Sequence, residues 1–208
     1  MAEIGVFHGK VLIGLAMALR PGERVVAVDV FDCGGVDFEA AFRANVERFA
    51  IPAGKLVVRR GDSADLTTGQ WREMLGGPAR LVHVDGDHSC LAALTDLDLA
   101  ASCLSPDGVM VVDDVFNPYH PGVTEAAASF LERREDLAAI ALVDRSGPLA
   151  TGGPKLIIAP RGARERYQAA LRQCLGHHVM GVENYYGSPM LILGFEPMVM
   201  KTTLVPTG

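Results

Sequence analysis

The stretch EIGVFHGK, residues 3–10, joins a short apolar run to a helix-like segment through two glycines. The apolar run predicts a strand over residues 2–6, and the segment that follows predicts a helix over residues 9–19. Gly5 and Gly9 permit a sharp turn between the two, and the helix aims its N-terminal amides at that turn. The stretch therefore predicts the first strand–turn–helix unit of an α/β fold.

Strand-like and helix-like segments alternate after this unit. Short valine-rich runs bounded by Gly, Pro or Asp are typical of strands that are covered on both faces. Such runs occur at residues 24–30, 55–60, 80–85 and 108–113, with helix-like segments between them at residues 37–49, 67–75 and 91–104. This alternation predicts a doubly wound, mostly parallel sheet with right-handed crossovers.

The C-terminal third predicts a change in strand direction. A proline-flanked loop at residues 117–122 leads into a helix that ends near residue 137. Two further strands, residues 138–144 and 155–159, are joined by RSGPLATGGP, which predicts an antiparallel hairpin and a sheet of seven strands. We expect residues 1–160 to form a single core domain. Residues 161–208 are expected to form a helix over 163–175 and an irregular apolar tail that packs on the core or on a partner subunit.

Composition excludes several functional classes. The chain has 208 residues, 49% of them hydrophobic, and a formal net charge of −6. This is enough chain for one domain with a sizeable core. The sequence has no apolar run of about 18 residues, so it does not predict a membrane span. The negative charge argues against a nucleic-acid partner. The four cysteines form no CxxC pair, and the N-terminus lacks the order of a secretory signal, so we expect a cytoplasmic protein with reduced thiols.

The ends of the first three strands predict a site for an adenosine-containing cofactor. Ligands of open parallel sheets bind beyond the carboxyl ends of the strands. Asp29 ends the second strand, where a carboxylate can accept both hydroxyls of a ribose. Asp62 and Ser63 end the third strand, where an adenine amino group can bind. The alternative for these two residues is a cap of the helix that follows.

The first turn distinguishes three kinds of cofactor. A phosphate-binding P-loop needs four residues between its glycines and Ser or Thr after the lysine, but three residues separate Gly5 from Gly9, and valine follows the lysine. A dinucleotide fingerprint GxGxxG needs glycine at position 7, where this chain has Phe7, so it fits poorly. The ExGxxxG pattern instead fits a cofactor with an amino-acid end, such as S-adenosylmethionine, for which Glu3 is an acidic partner.

Carboxylates follow two further strands of the predicted sheet. HVDGDH, residues 83–88, and VVDD, residues 111–114, place Asp85, Asp113 and Asp114 at strand ends. Three carboxylates in a partly buried site repel one another and are costly to desolvate, and a divalent cation removes that cost. Carboxylate oxygens suit Mg²⁺, Mn²⁺ or Ca²⁺. The alternative for each residue is a solvated strand end or a helix cap.

In this order and spacing, EIGVFHGK, AVDVFD, GDS, HVDGDH and VVDD resemble the class I S-adenosylmethionine-dependent methyltransferases. More narrowly, they are similar to the metal-dependent O-methyltransferases of the macrocin and aminocoumarin sugar-methylating type, with the catechol enzymes as more distant kin. The resemblance covers residue 3 to about residue 159. It implies a Rossmann-like fold and a divalent cation, with Mg²⁺ favoured, on Asp85, Asp113 and Asp114. The expected cofactor-binding residues are Glu3, Gly5, Phe7, Gly9, Asp29, Asp62, Ser63 and Asp85.

Methyl transfer to an oxygen requires a base for the proton of the acceptor. Asp87 and His88 lie two and three residues after Asp85, and both are candidates. His88 has an ordinary pKa of about 6.5, which suits the role at neutral pH, whereas Asp87 would need a raised pKa or an acidified acceptor. The alternative for His88 is a cap of the next helix. We expect His83 to point away from Asp85 and to be a buried, hydrogen-bonded histidine.

The predicted activity is metal-assisted O-methylation of a small molecule with adjacent oxygens, either a sugar hydroxyl or a catechol-like ring. Tyr119 and His120 are candidates for acceptor contacts, and the tail is a candidate cover for the pocket or an interface in a homo-oligomer. Relatives carry helices before the first strand, and this chain begins almost inside that strand. This short N-terminus supports a first alternative to the predicted activity, a non-catalytic cofactor-binding module. A second alternative, a nicotinamide-dependent oxidoreductase, leaves the carboxylates of Asp85, Asp113 and Asp114 unexplained.

Overall fold

A nine-stranded sheet organises residues 1–145 and 147–195, the part of the chain that the computed structural model describes. A separate two-stranded hairpin, β3 with β4, projects from the turn after β2. In chain order the strands are β1 (Ala2–Ile4), β2 (Val25–Asp29), β3 (Asp32–Cys33), β4 (Val36–Asp37), β5 (Leu56–Arg60), β6 (Ala79–Val84), β7 (Leu104–Val112), β8 (Leu137–Val143), β9 (Lys155–Pro160), β10 (Val179–Tyr185) and β11 (Ser188–Leu193).

The order of strands in the sheet is β10-β11-β8-β9-β7-β6-β1-β2-β5. Within this order, the five strands β7, β6, β1, β2 and β5 run parallel to one another. β9 runs antiparallel to both β7 and β8, as the hairpin prediction requires. The carboxyl ends of β1, β2, β5, β6 and β7 therefore meet at one edge of the sheet.

Helices cover both faces of this sheet. They are α1 (Lys10–Met17), α2 (Glu39–Arg48), α3 (Thr68–Leu75), α4 (Cys90–Ser102), α5 (Pro121–Arg133) and α6 (Arg164–Leu175). The valine-rich strand β2 shows why two covers are needed, because its successive side chains point to opposite faces. Val25 and Ala27 pack with the residues of α1 and α2, while Val26 and Val28 pack with those of α3, α4 and α5. The doubly wound α/β prediction is confirmed.

The predicted strand count of seven is too low, because residues 179–193 of the tail form two further strands, while residues 196–208 of the predicted tail lie outside the described residues. Residues 179–193 form a hairpin, β10–β11, whose turn residues Tyr186 and Gly187 have φ angles of 46° and 69°. A two-residue turn with two positive φ angles has a backbone twist that matches the twist of the two strands it joins. β11 pairs in parallel with β8, and Leu191 is buried against Ala141. The strand character of the tail comes from this long-range pairing.

Two element ends also differ from the prediction. Helix α4 ends at Ser102, and β7 begins at Leu104, where the sequence predicted continued helix. Leu104 pairs with Ala79, which extends β7 by four residues before the predicted start at residue 108. Within residues 1–145 and 147–195, no helix is long and apolar enough to cross a membrane.

Candidate active site

A cavity of about 920 Å³ opens at the edge where the carboxyl ends of the parallel strands meet. The turns after β1, β2, β5, β6 and β7 line it, together with residues 150–152. The structure brings most of the predicted site residues to this one cavity. They are Gly5, Phe7, Asp29, Asp62, Ser63, Asp85, Asp87, His88, Asp113 and Asp114. Glu3 and Gly9 do not line it.

Gly5 lets the first turn pass directly against the end of β6. Its φ is +80°, and a Cβ atom at this position would lie 1.8 Å from the backbone oxygen of Asp85. Gly9 has a φ of +83° and precedes α1, and a Cβ there would meet the ring of Phe42 at 2.9 Å. Gly5 therefore shapes the cavity directly, whereas Gly9 lets α1 and α2 pack closely beside it.

Glu3 lies behind the cavity wall. It is 2% exposed, and its Oε1 lies 3.0 Å from Nδ1 of His83, within hydrogen-bonding distance. Burial raises the pKa of Glu3, and the bond to His83 opposes that rise. Glu3 does not line the cavity, and its observed contact is with His83 inside the sheet. The contact with the cofactor that the sequence predicted for Glu3 stays a prediction.

His83 is buried and hydrogen-bonded, as predicted, but it does not point away from Asp85. Residues two apart on a strand project to the same face of a sheet. The Nε2 of His83 lies 3.7 Å from Oδ2 of Asp113, and one donor atom from each of His83, Asp85 and Asp113 falls within 4.8 Å of the other two. The predicted direction was wrong because it compared His83 with its immediate neighbours.

Asp29 joins the first two turns of the sheet. Its Oδ2 accepts the backbone N–H groups of Val6 at 2.6 Å and Phe7 at 2.7 Å, and its Oδ1 accepts that of Phe31 at 2.6 Å. The exposed Phe7 ring stacks on His8, with the ring centroids 3.9 Å apart. Asp29 therefore fixes the backbone of the first turn, which lines the cavity, and its predicted role towards a ribose stays a prediction.

Asp62 and Ser63 line the cavity just after β5. Asp62 accepts the backbone N–H of Ala64 at 2.9 Å, so the capping alternative holds for this residue. Ser63 donates its hydroxyl to Oδ1 of Asp96, a residue of α4 that the sequence analysis missed. Asp96 is 2% exposed, and burial raises its pKa to about 6. No sequence signal marks Asp96, because it lies among apolar helix residues.

Asp85 and Asp114 approach the same imidazole nitrogen. The Nε2 of His88 lies 3.6 Å from Oδ1 of Asp85 and 3.3 Å from Oδ2 of Asp114. This nitrogen is buried and has no hydrogen-bond partner. Burial raises the pKa of Asp85. His88 therefore lies beside carboxylates from the ends of both β6 and β7, and the role of these carboxylates as ligands of one cation stays a prediction.

Lys155 is the second residue that the sequence analysis missed. Its Nζ contacts Oδ2 of Asp113, whose Oδ1 accepts the backbone N–H of Asp114 at 2.8 Å. Lys155 begins β9, which lies beside β7 in the sheet, so it faces the end of β7. Only the strand order reveals this neighbour, because 42 positions separate Lys155 from Asp113.

The predicted cation ligands fall into two candidate groups, since Asp85 and Asp113 lie with His83 whereas Asp114 lies with His88 and His120, the donor atoms of each group being within 4.8 Å of one another. Asp85 and Asp114 each direct a carboxylate oxygen towards the orphaned nitrogen of His88, and oxygen ligands of this kind suit a hard cation. Asp113 is nearby but already has the ammonium group of Lys155 as its counter-charge. A cation held by all three carboxylates must therefore share Asp113 with Lys155.

The two candidate bases have different surroundings. Asp87 accepts the backbone N–H of Ser89, the N-cap residue of α4, at 2.8 Å, and bonding to Ser89 lowers the pKa of Asp87. The carboxylate of Asp85, followed by that of Asp114, raises the pKa of His88 against the effect of burial. A carboxylate of lowered pKa is a poor proton acceptor, so the directions of the two pKa shifts favour His88, and its role as the base stays a prediction.

His120 lies beside His88 in the cavity wall, with the ring centroids 3.9 Å apart. Tyr119, the other residue predicted for acceptor contacts, is 65% exposed and does not line the cavity. The tail tyrosines Tyr185 and Tyr186 pack on each other outside the cavity lining. Of the two residues predicted for acceptor contacts, His120 lines the cavity and Tyr119 does not, and the contact itself stays a prediction.

Comparison with known proteins identifies the family of the chain. Residues 2–115, more than half of the chain, match a methyltransferase domain family. The chain belongs to that family, which confirms the predicted methyltransferase class. No curated protein matches the chain.

Solved structures share the fold at low sequence identity. An O-methyltransferase from Bacillus cereus in complex with SAH is 20% identical, with a TM-score of 0.60 over 77% of this chain and 73% of that one. TomG from Streptomyces achromogenes, an O-methyltransferase involved in tomaymycin synthesis and solved with SAM, is 22% identical, with a TM-score of 0.60 over 76% and 71%. CalS11, a TDP-rhamnose 3'-O-methyltransferase of calicheamicin biosynthesis, is 19% identical, with a TM-score of 0.58 over 78% and 71%.

Proposed function

We propose that the protein transfers a methyl group from S-adenosylmethionine to a hydroxyl group of a small molecule, with the assistance of a divalent cation. The observation that carries this proposal is the approach of Asp85 and Asp114 to the unpartnered Nε2 of His88 in the wall of a deep cavity. Membership of the methyltransferase domain family supports the reaction type.

The cofactor is proposed to lie along the turns after β1, β2 and β5. Gly5 and Phe7 provide the turn, Asp29 holds its amides, and Asp62 and Ser63 lie at the adenine end. Ligand pockets commonly measure about 300–1,000 Å³. At about 920 Å³, this cavity has room for the cofactor together with a small acceptor.

The reacting groups are proposed to meet between His88 and the two strand ends. Asp85, Asp113 and Asp114 would hold the cation, which when bound lowers the pKa of an acceptor hydroxyl and orients it. The acceptor oxygen forms its bond to the methyl carbon as the bond from that carbon to sulfur breaks, and S-adenosylhomocysteine leaves. Nε2 of His88 takes the proton of the acceptor, since it has no other partner.

The proposed acceptor carries two adjacent oxygens, as in a sugar or a catechol-like ring. Two such oxygens could reach the carboxylate-lined end together, and this would select the position that is methylated. CalS11 is a TDP-rhamnose 3'-O-methyltransferase, and its similarity to this chain supports the sugar alternative. A cytoplasmic location is proposed for such an enzyme.

The test is an assay for S-adenosylhomocysteine with a panel of nucleotide sugars and catechols, in Mg²⁺, in Mn²⁺ and in chelator. We expect turnover that depends on the cation. Asp113→Asn keeps the acceptor for the N–H of Asp114 but removes the charge, so cation-dependent turnover should fall at least about 10²-fold, as for a lost ligand. Calorimetry should show S-adenosylhomocysteine affinity within a few fold of wild type.

The matched control is Asp107→Asn, an exposed carboxylate that pairs with Arg166 away from the cavity. It should change neither turnover nor affinity. Equal turnover in chelator and in Mg²⁺ would contradict cation assistance. Binding of S-adenosylhomocysteine without turnover on the whole panel would favour a non-catalytic module, and binding of NAD would favour an oxidoreductase.

A further inference from the structure

We propose that His88, Asp114 and His120 form a site for Zn²⁺ or a similar borderline transition ion, and that an ion bound there inhibits the enzyme. The donor atoms of these three residues lie within 4.8 Å of one another. The binding claim is independent of the proposed function, whereas the inhibition rests on it. The site shares Asp114 with the proposed Mg²⁺ ligands but differs from them in its two imidazoles.

One of the three distances between donor atoms already matches that of a zinc site. Bonds of about 2.0–2.1 Å in a tetrahedral site place neighbouring ligand atoms roughly 3.4 Å apart. Nε2 of His88 and Oδ2 of Asp114 are 3.3 Å apart. The imidazole of His120 packs beside that of His88, with 44° between the ring planes. A ring nitrogen of His120 lies within 4.8 Å of both of these donor atoms.

Nε2 of His88 faces two carboxylate oxygens, Oδ2 of Asp114 at 3.3 Å and Oδ1 of Asp85 at 3.6 Å. It is buried and makes no hydrogen bond, and an unsatisfied buried polar atom costs roughly 1–3 kcal/mol. Its lone pair can coordinate a metal ion. The neighbouring carboxylate is also oriented for this role, because Oδ1 of Asp114 accepts hydrogen bonds from Asn117 and Gly153. Oδ2 of Asp114 is the oxygen that approaches His88.

The backbone holds the two histidines next to each other. His120 immediately precedes α5, and His88 lies just before α4. At Gly122, a Cβ atom would lie 2.7 Å from both the backbone oxygen of His88 and the backbone nitrogen of Cys90. The loops that carry the two imidazoles are therefore in direct backbone contact.

The ligand chemistry selects the ion. Imidazole nitrogens suit Zn²⁺, Co²⁺ and Ni²⁺, whereas Mg²⁺ prefers oxygen ligands only. Two imidazoles and one carboxylate leave a fourth tetrahedral position open. An ion at this site occupies the lone pair of His88 that takes the proton in the proposed reaction. Zn²⁺ should therefore inhibit turnover supported by Mg²⁺.

The test is a calorimetric titration of the full chain with ZnCl₂ in excess Mg²⁺. The background carries Cys33→Ser and Cys174→Ser, because both thiols are exposed and could bind zinc themselves. We expect one zinc site whose affinity falls at least about tenfold in both His120→Ala and His120→Asn. His177→Ala removes an exposed histidine of the tail and is the matched control, with unchanged affinity. Circular dichroism checks that each variant is folded.

A spectroscopic measurement and an inhibition measurement complete the test. Bound Co²⁺ should show the visible absorption of a low-coordinate site in the background protein and lose it in both His120 variants. Where turnover is found, Zn²⁺ should inhibit the background protein and lose at least about tenfold in potency against the His120 variants. Equal zinc affinity in the background and both His120 variants would overturn the proposal. Zinc binding with no turnover would leave the site standing and contradict only the proposed function.

Discussion

At the scale of single residues, Gly5 is the position that tolerates least change. Alanine at this position would combine a left-handed φ of +80° with a Cβ 1.8 Å from the backbone oxygen of Asp85. The left-handed conformation costs about 1–2 kcal/mol for a residue with a side chain, and overpacking adds about 1–3 kcal/mol. We expect Gly5→Ala to lower the free energy of unfolding by about 2–5 kcal/mol in urea denaturation, and to weaken S-adenosylhomocysteine binding.

Gly14→Ala is the matched control for that substitution. Gly14 lies inside α1, and nothing is within 4 Å of a Cβ placed there. Alanine is the better helix former, so the free energy of unfolding should rise by about 0.5–1 kcal/mol. If Gly5→Ala were as stable as Gly14→Ala, the close passage of the first turn against the end of β6 would be disproved.

At the scale of elements, Asp96 connects α4 to the turn after β5 through its bond with Ser63. Burial raises the pKa of Asp96 to about 6 from an ordinary value of 3.8. Between these two pH values the folded state binds more protons than the unfolded state, so this group makes stability fall as pH rises from about 4 to 6. A shift of this size corresponds to about 2–3 kcal/mol.

Asp96→Asn should remove this pH dependence, since the amide stays neutral and can still accept from Ser63. Chemical denaturation at pH 4 and at pH 7 measures the effect. The stability of Asp96→Asn relative to wild type should rise by about 2–3 kcal/mol between the two. A relative stability that is the same at both pH values would show that Asp96 ionises in the folded protein as it does in water.

At the scale of the whole molecule, the hairpin β10–β11 decides whether the tail and the core unfold together. Leu191 is fully buried and pairs with Ala141 of β8. Leu191→Ala should lower the free energy of unfolding by about 2–5 kcal/mol, while Met180→Ala on exposed β10 should change it by less than about 0.5 kcal/mol. We expect the fluorescence of Trp71 and far-ultraviolet circular dichroism to report one shared transition.

Separate transitions for the two probes would mean that residues 161–208 form a unit of their own. Trp71 is the single tryptophan of the chain and is buried in the core. Its signal therefore reports the core, far from the hairpin in the strand order. The contact of the tail with a partner subunit stays a prediction.

The alternation of elements could be predicted from the sequence because it rests on local patterns. Valine-rich runs, the glycines of the first turn and carboxylates directly after strands are all properties of short stretches. They placed Asp29, Asp85 and Asp114 correctly at the cavity. The tail was harder, since the strand character of residues 179–193 depends on pairing with β8.

What the sequence determined by itself is which residue types end each strand, and hence the chemistry gathered at the carboxyl edge of the sheet. Only the tertiary structure decided which of those side chains touch. Glu3 bonds to His83 across 80 positions, and Lys155 reaches Asp113 across 42. Such contacts depend on strand order and register, which no local pattern encodes. For that reason the pairing of charges at the site became visible only in the folded chain.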